Sequence, residues 1–305
     1  MDDSVWAIHN DAAVMALQRL SAVAGLVPSV DWLLYSAIRQ EALMTSQIEG
    51  TQATLVDLFD EEAGIAISNT DDVEEVTNYL QAFQWVQSQL RSSQGLPISV
   101  RLLSEAHRRL LDGARGSGKQ PGELRKSQNW IGGTRPGNAV FVPPPADQVP
   151  ALLADLERFI HAEQTALPAL VRVALVHAQF ETIHPYLDGN GRIGRLLIAA
   201  LLEHWQLLPE PLMYLSGYLK QYQSEYYRRL LAHPRANAAS YRLFELLPTM
   251  PRLSVDRVCE AVQTTFPTAN TAIKLLEELG ILTELTGQKK NRTFSYAAYI
   301  QLLSH

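Results

Sequence analysis

The chain has 305 residues, with 26 Lys and Arg against 32 Asp and Glu, giving a net charge of −6. A hydrophobic fraction of 47% supports a sizeable core and excludes disorder as the main state. The single cysteine, Cys259, excludes an internal disulfide and any multi-cysteine metal site. The acidic balance argues against a globally basic nucleic-acid binder.

No apolar run reaches the roughly 20 residues needed to span a bilayer. The start, Met1-Asp2-Asp3-Ser4, lacks the basic and apolar regions of a secretory signal. The expectation is a soluble, cytoplasmic protein without a membrane partner, folded in about two domains. Apolar residues at helical spacing predict helices over about 11–24, 30–49, 72–92, 99–112 and 148–163. Leu170, Val171, Ala174, Leu175 and Ala178 mark one from Leu167 to about His184, where Pro185 disfavours further helix. Further helices open after Gly191, stopping near Pro209, and over about 211–232. The chain reads as mainly α.

Two stretches break this pattern. Residues 113–145 are rich in Gly and Pro, and Trp130-Ile131 and Val140-Phe141-Val142 flank a turn-forming segment that predicts a small hairpin. Gly113 to Gln120 comes within one residue of a P-loop. Gln120 replaces the required Ser or Thr, and the segment follows a helix rather than a strand, so a P-loop is rejected. Pro248 to Pro251 reads as a linker. Beyond it, helices over about 254–264 and 268–279, the second ending at Gly280, precede two short apolar pieces, Ile281–Thr283 and Thr293–Tyr296. This order resembles a winged helix-turn-helix. Residues 251–305 hold six basic and five acidic side chains. Lys274, Lys289, Lys290 and Arg292 could touch phosphate, but Glu277 and Glu278 weaken a DNA-reading face.

The densest signal is His184-Pro185-Tyr186-Leu187-Asp188-Gly189-Asn190-Gly191-Arg192-Ile193-Gly194-Arg195. A helix delivers a histidine into a Gly-rich turn, and a new helix starts at once. The free N–H groups of that helix start make an anion site, and Gly189 and Gly191 admit close approach of a ligand. Arg192 and Arg195 lie three apart, within reach of phosphate oxygens. Asp188 is a hard oxygen ligand for magnesium, and His184 can take a proton near neutral pH. Together these residues describe attack on a nucleotide phosphate. His177, Glu181 and His184 share a helix face and could suggest zinc, but no further ligand is evident.

The segment resembles the Fic family motif His-Pro-Phe-x-Asp/Glu-Gly-Asn-Gly-Arg-x-x-Arg, with Tyr186 where Phe is usual. Phe180–Ile183, Pro121–Arg125 and Gln128–Gly133 also look like the family. The resemblance implies transfer of AMP from ATP to a protein hydroxyl. It assigns His184 as the base, Asp188 as the Mg2+ ligand and Gly189, Asn190 and Gly191 as the anion hole. Arg192 and Arg195 would orient the outer phosphates. Trp130, Ile131, Val140 and Phe141 would form a flap that aligns the target by strand addition.

Upstream, Thr45-Ser46-Gln47-Ile48-Glu49-Gly50 contains Ser46-x-x-Glu49, which could be a capping box. The unbroken run from Asp31 and the following Gly50 instead read as a helix end. An acid there opposes the helix dipole and invites a cationic partner. Thr45, Glu49 and Gly50 resemble the Fic inhibitory motif Ser/Thr-x-x-x-Glu-Gly/Asn. That resemblance implies a Glu49–Arg195 pair that displaces the γ-phosphate.

The expected architecture is a mainly α protein, a Fic-type helical core with a β-hairpin flap and a C-terminal winged-helix domain. Residues 1–100 would form an N-terminal region with an inhibitory helix (about 30–50), 101–248 the catalytic core and 249–305 the winged helix. The expected partners are ATP, Mg2+ and a protein target, which includes the chain itself; a homodimer is expected by analogy with self-inhibited relatives. Removal of AMP or transfer of another nucleotide keeps the same site. A nucleotide-sensing, DNA-associated regulator is the competing class.

Overall fold

The structure is a computed structural model. It describes residues 4–27, 29–113, 117–131, 141–163, 167–230, 243, 246–247, 250–278, 282–288 and 292–296. The chain divides into two compact units, Met1–Asn129 with Pro143–Leu230, and Trp130–Val142 with Leu231–His305.

The first unit is helical: α1 Ser4–Ala24, α2 Asp31–Ile48, α3 Leu55–Glu62, α4 Thr70–Arg91 and α5 Val100–Leu110 are followed by α6 Val149–Ile160, α7 Ala169–Ile183, α8 Asn190–His204, α9 Leu215–Gln221 and α10 Gln223–Leu230. Helix α8 is its axis, packing against α2, α4, α5 and α7. Ile193, Leu196, Leu197 and Leu201 are buried along it, and each contributes about 1.5–3 kcal/mol of transfer free energy. The predicted helix over 211–232 is two helices, interrupted at Tyr222 and opening only at Leu215. Helix α3 was not predicted, because eight residues are too few for a periodic signal. Its start is nonetheless encoded. Thr54 Oγ1 accepts from Asp57 N (3.2 Å) while Asp57 Oδ2 accepts from Thr54 N (2.8 Å), a reciprocal cap.

The second unit contains β1 Arg252–Ser254, α11 Val255–Val262, α12 Phe266–Glu278, β2 Thr283–Glu284 and β3 Thr293–Ser295. The sheet is antiparallel with order β1-β3-β2, and Leu253 pairs with Phe294. Strand β1 was not expected, since three residues show no alternation. Leu243, Leu247, Leu253, Val258, Ile273 and Phe294 form the core of this unit. Arg292 donates to Asn270 Oδ1 (2.7 Å) and covers the Phe294 ring, so it braces the sheet against α12. Gly280, Ile281, Lys289 and Lys290, and Pro248 and Thr249 of the expected linker, lie outside the described residues. Between Trp130 and Val142 the described part of the expected hairpin is one antiparallel bridge. Ile131 and Phe141 each donate an N–H to the other's carbonyl, at 2.8 and 3.1 Å. Val140 lies outside the described residues. Among the described residues no helix is long and apolar enough to cross a membrane.

Leu197→Ala should lower stability by roughly 2–5 kcal/mol, because it opens a cavity at a fully buried point on α8. Urea denaturation followed by circular dichroism checks this.

Candidate active site

His184 closes α7 in the left-handed conformation, φ 50° and ψ 62°. The helical region is disfavoured for it by Pro185, and its N–H still caps the helix by donating to Phe180 O (2.9 Å). A non-glycine residue held there needs support from its surroundings. Arg125 supplies it. This guanidinium, 2% exposed, donates to His184 O (2.8 Å), Ser127 O (3.1 Å), Pro144 O (2.5 Å) and Ile183 O (3.3 Å), and Arg125 N donates to Pro185 O (2.9 Å). The rest of the turn is clamped by Asn190. Its Oδ1 accepts from Tyr186 N (2.8 Å) and its Nδ2 donates to Tyr186 O (2.9 Å), which also accepts from Asn129 Nδ2 (2.8 Å). The Asn190 side chain is therefore committed to the turn, and any part it takes in anion binding falls to its backbone N–H. Burial pushes the His184 imidazole down to about 4, opposed in part by the Glu181 carbonyl. Its Nδ1 is buried without a hydrogen-bond partner. At neutral pH the ring is uncharged and can accept a proton.

Tyr186 is an anchor, as an aromatic residue in that position should be. Its ring stacks on His107 at 3.9 Å and 9°, and its hydroxyl reaches Ser104 Oγ at 3.3 Å. His107 accepts from Gly122 N at Nδ1 (2.8 Å), so Nε2 carries the proton and donates to Asp188 O (3.0 Å). Asp188 Oδ1 in turn accepts from Gly189 N (2.6 Å). Gly189 has φ +73°, and a Cβ there would lie 3.1 Å from Leu110 Cδ2.

The two arginines of the motif face different partners. Arg192 donates to Glu75 Oε2 (2.9 Å) and lies 3.9 Å from Asp188 Oδ1. Both line a cleft of about 260 Å³ with Asp71 and Glu74. Lys119 Nζ is 3.6 Å from the other Asp188 oxygen. Arg195, 3% exposed, donates to Thr45 Oγ1 (2.6 Å), Thr45 O (3.2 Å), Glu49 Oε1 (2.5 Å) and the Tyr226 hydroxyl (3.5 Å). Glu49 is the C-cap of α2, and Gly50 (φ +106°) turns the chain out of the helix. The bonds Gly50 N to Gln47 O and Thr51 N to Ser46 O form the Schellman pattern. Ser46 lies inside the helix, so Ser46-x-x-Glu49 is no capping box. Gly191 leaves room for the Glu49–Arg195 pair, because a Cβ there would come within 2.4 Å of Glu49 Oε1 and make that side chain shift.

Behind Arg195 lie further buried polar groups. His177 Nδ1 donates to Gly194 O (3.1 Å), and burial holds this ring uncharged, near 4. Its Nε2 therefore accepts from the Tyr226 hydroxyl (3.0 Å). Burial pushes the Glu181 carboxyl up to about 7, with Arg195 opposing. No group of three or more metal-ligating side chains exists among the described residues. Sequence reasoning assigned no role to Arg125, His107, Glu75 or Tyr226. Each lies tens of residues from its partner, so spacing carried no signal.

These geometries frame the comparisons with known proteins. Residues 9–87 match the Fic/DOC family N-terminal model and residues 97–202 the Fic/DOC family model, together more than half of the chain. The chain belongs to the Fic/DOC family. Among curated relatives, "Protein adenylyltransferase Fic" of Drosophila ananassae is 28% identical over 207 residues, 66% of this chain and 36% of the relative. Its counterpart in Drosophila grimshawi is 30% identical over 190 residues, 60% and 35%. The chain thus spans about a third of the length of the curated relatives it matches. The fold is shared with a Fic family protein from Desulfovibrio desulfuricans (TM-score 0.57, 20% identity, 97% of this chain and 96% of that one). It is shared also with Fic-1 from C. elegans (TM-score 0.60, 18% identity, 90% and 74%).

Asn190→Ala removes both side-chain bonds to the Tyr186 backbone and should cost about 1–3 kcal/mol in a denaturant titration. Stability should also fall on acidification. His177 and His184 stay near 4 when folded but near 6.5 when unfolded. The unfolded chain therefore binds more protons between those values, and stability present above about pH 6.5 is lost as pH falls toward 4. Glu181, raised to about 7, acts in the opposite sense, and two histidines outweigh it. Thermal melts across this range test the sign.

Proposed function

We propose that this chain transfers AMP from ATP to a Ser, Thr or Tyr hydroxyl of a protein, and that Glu49 holds the activity low. The observation that carries the reading is the Glu49–Arg195 contact at the first turn of α8, next to an uncharged His184. The name of the curated relatives, protein adenylyltransferase, supports it. In the reaction the target oxygen bonds to the α-phosphorus, the bond to the bridging oxygen breaks, and pyrophosphate leaves. His184 takes the hydroxyl proton. The backbone N–H groups at the start of α8 accept the phosphate charge, and Arg192 and Arg195 hold the outer phosphates once released from their carboxylates.

A magnesium ion fits this site in one form. Asp188 offers a hard carboxylate: Oδ1 accepts from Gly189 N (2.6 Å) and lies 3.9 Å from Arg192, and Oδ2 lies 3.6 Å from Lys119. No cage of protein ligands surrounds it among the described residues, which suits an ion that arrives with nucleotide phosphates. Asp188 would hold it, and the ion would neutralise phosphate charge.

Residues 1–100 would then be the region carrying the inhibitory helix, 101–248 the catalytic core and 249–305 a winged helix. The β1-α11-α12-β2-β3 order supports the last of these. Trp130, Ile131, Val140 and Phe141 would align the target strand.

The test incubates wild type, Glu49→Gly and His184→Ala with Mg2+ and ATP labelled at the α-phosphate. Glu49→Gly should raise labelling by about 5–150-fold, the range of a 1–3 kcal/mol coupling, and His184→Ala should abolish it. A Glu49→Gly variant no more active than wild type would refute the inhibitory role, and nucleotide binding without labelling would favour a sensor. The acid limb of the labelling rate should fall near pH 4 instead of 6.5, because His184 stays uncharged above it.

A further inference from the structure

Between α1, α7, α9 and α10 the first unit contains a cavity of about 730 Å³ that no part of the proposed chemistry uses. Its volume falls within the range of small-molecule sites. Two of the lining helices carry small, exposed side chains, Ala16 on α1 and Ala174 on α7. Leucines, Val173 and Ile198 make nearly half of the remaining lining, and Tyr218 and Tyr222 also border it. From Leu170 to Ala178 the α7 wall runs about 12 Å at 1.5 Å per residue, and the lining is mainly apolar.

The mouth and the inner end are polar in different ways. At the mouth, Glu225 is gripped by Arg228 through both Nε (2.6 Å) and Nη2 (2.7 Å). Arg229 reaches the same carboxylate with Nε alone (2.6 Å). Its two terminal nitrogens make no hydrogen bond among the described residues, and its side chain is 76% exposed. The mouth thus presents paired donors suited to a carboxylate. The inner end is formed by His177 and Tyr226. The Tyr226 hydroxyl donates to His177 Nε2 and accepts from Arg195 Nη1. One side chain is therefore shared between the cavity wall and the guanidinium that Glu49 holds.

We propose that this cavity binds a free aliphatic carboxylate, with the chain along α7 and the head group on Arg229, and that its occupancy braces Tyr226 against Arg195 and tightens the Glu49 clamp. The site stands independently of the nucleotide reading, since neither binding nor bracing needs ATP.

The test is calorimetric titration of the full chain with dodecanoate. Saturable binding at one site per chain is expected. Ala174→Trp should weaken it roughly tenfold or more by filling the cavity, and Ala16→Trp, on α1, should do the same. Both replaced side chains are solvent-exposed, so the core is untouched. Arg229→Glu should weaken it about fivefold, as loss of an exposed charge pair implies. Absence of saturable binding, or binding unchanged in both tryptophan variants, would overturn the site. Dodecanol binding as tightly as dodecanoate would overturn the carboxylate assignment. A second copy of the chain as the occupant would appear in sedimentation as a dimer that dodecanoate fails to displace and Ala174→Trp disrupts, and would equally defeat the proposal. For the bracing, hydrogen exchange over residues 45–51 should slow in the presence of dodecanoate in wild type and not in Tyr226→Phe. Unchanged exchange in wild type would refute it.

Discussion

A guanidinium buried to 3% exposure at the positive end of a helix is the constraint around which the first unit is arranged. Arg195 carries a full charge out of water and adds to the dipole of α8 in place of opposing it. Such a group persists only where acceptors surround it, and α2 supplies three of them through Thr45 and Glu49. Helix α2 must therefore dock in one register. Three contacts hold it there: Glu41 with Ser216 N (2.9 Å) and Oγ (2.5 Å), Lys220 with Gln47, and Gln223 with Ile48 O. The packing of α9 and α10 against α2 and the pairing of Glu49 with Arg195 are one arrangement. Under the proposed function, a phosphate that displaced Glu49 would replace one anion with another and leave Arg195 paired.

The second requirement is a rigid turn. The segment from His184 to Asn190 is short, contains a left-handed histidine and leaves several backbone groups without helical partners. Asn190 satisfies them from within the turn, and Arg125, Asn129 and His107 from two distant parts of the sequence. Geometry set before a ligand arrives costs nothing at the moment of reaction, and this is the principal means by which oriented dipoles act on developing charge. Burial completes the arrangement by keeping His184 uncharged at neutral pH, against the opposing pull of Glu49 and Asp188.

Much of this was legible in the residues. The 3.6-residue periodicity located the long helices, because their apolar faces are wide enough to show above noise. The breakers Pro185 and Gly50 located two functional helix ends through local sterics alone. The motif from His184 to Arg195 is compact, so its resemblance to the family could be read from spacing. Helix α3 and strand β1 are too short for any period to register, and the break at Tyr222 has no Pro or Gly to announce it.

Residue order determined that a histidine, an acid, a glycine turn and two arginines would share one helix start, and that Glu49 would end a helix, since both are consequences of local backbone geometry. Only the tertiary structure decided that Arg192 and Arg195 part company, one to Glu75 and the other to α2. Only it could place Arg125 beneath His184, 59 residues along the chain, or join Tyr226 to His177 and Arg195. Such pairings are chosen by the need of each buried polar group for a partner, and that need is met by whichever side chain the packing of helices brings within 3 Å, not by proximity in sequence.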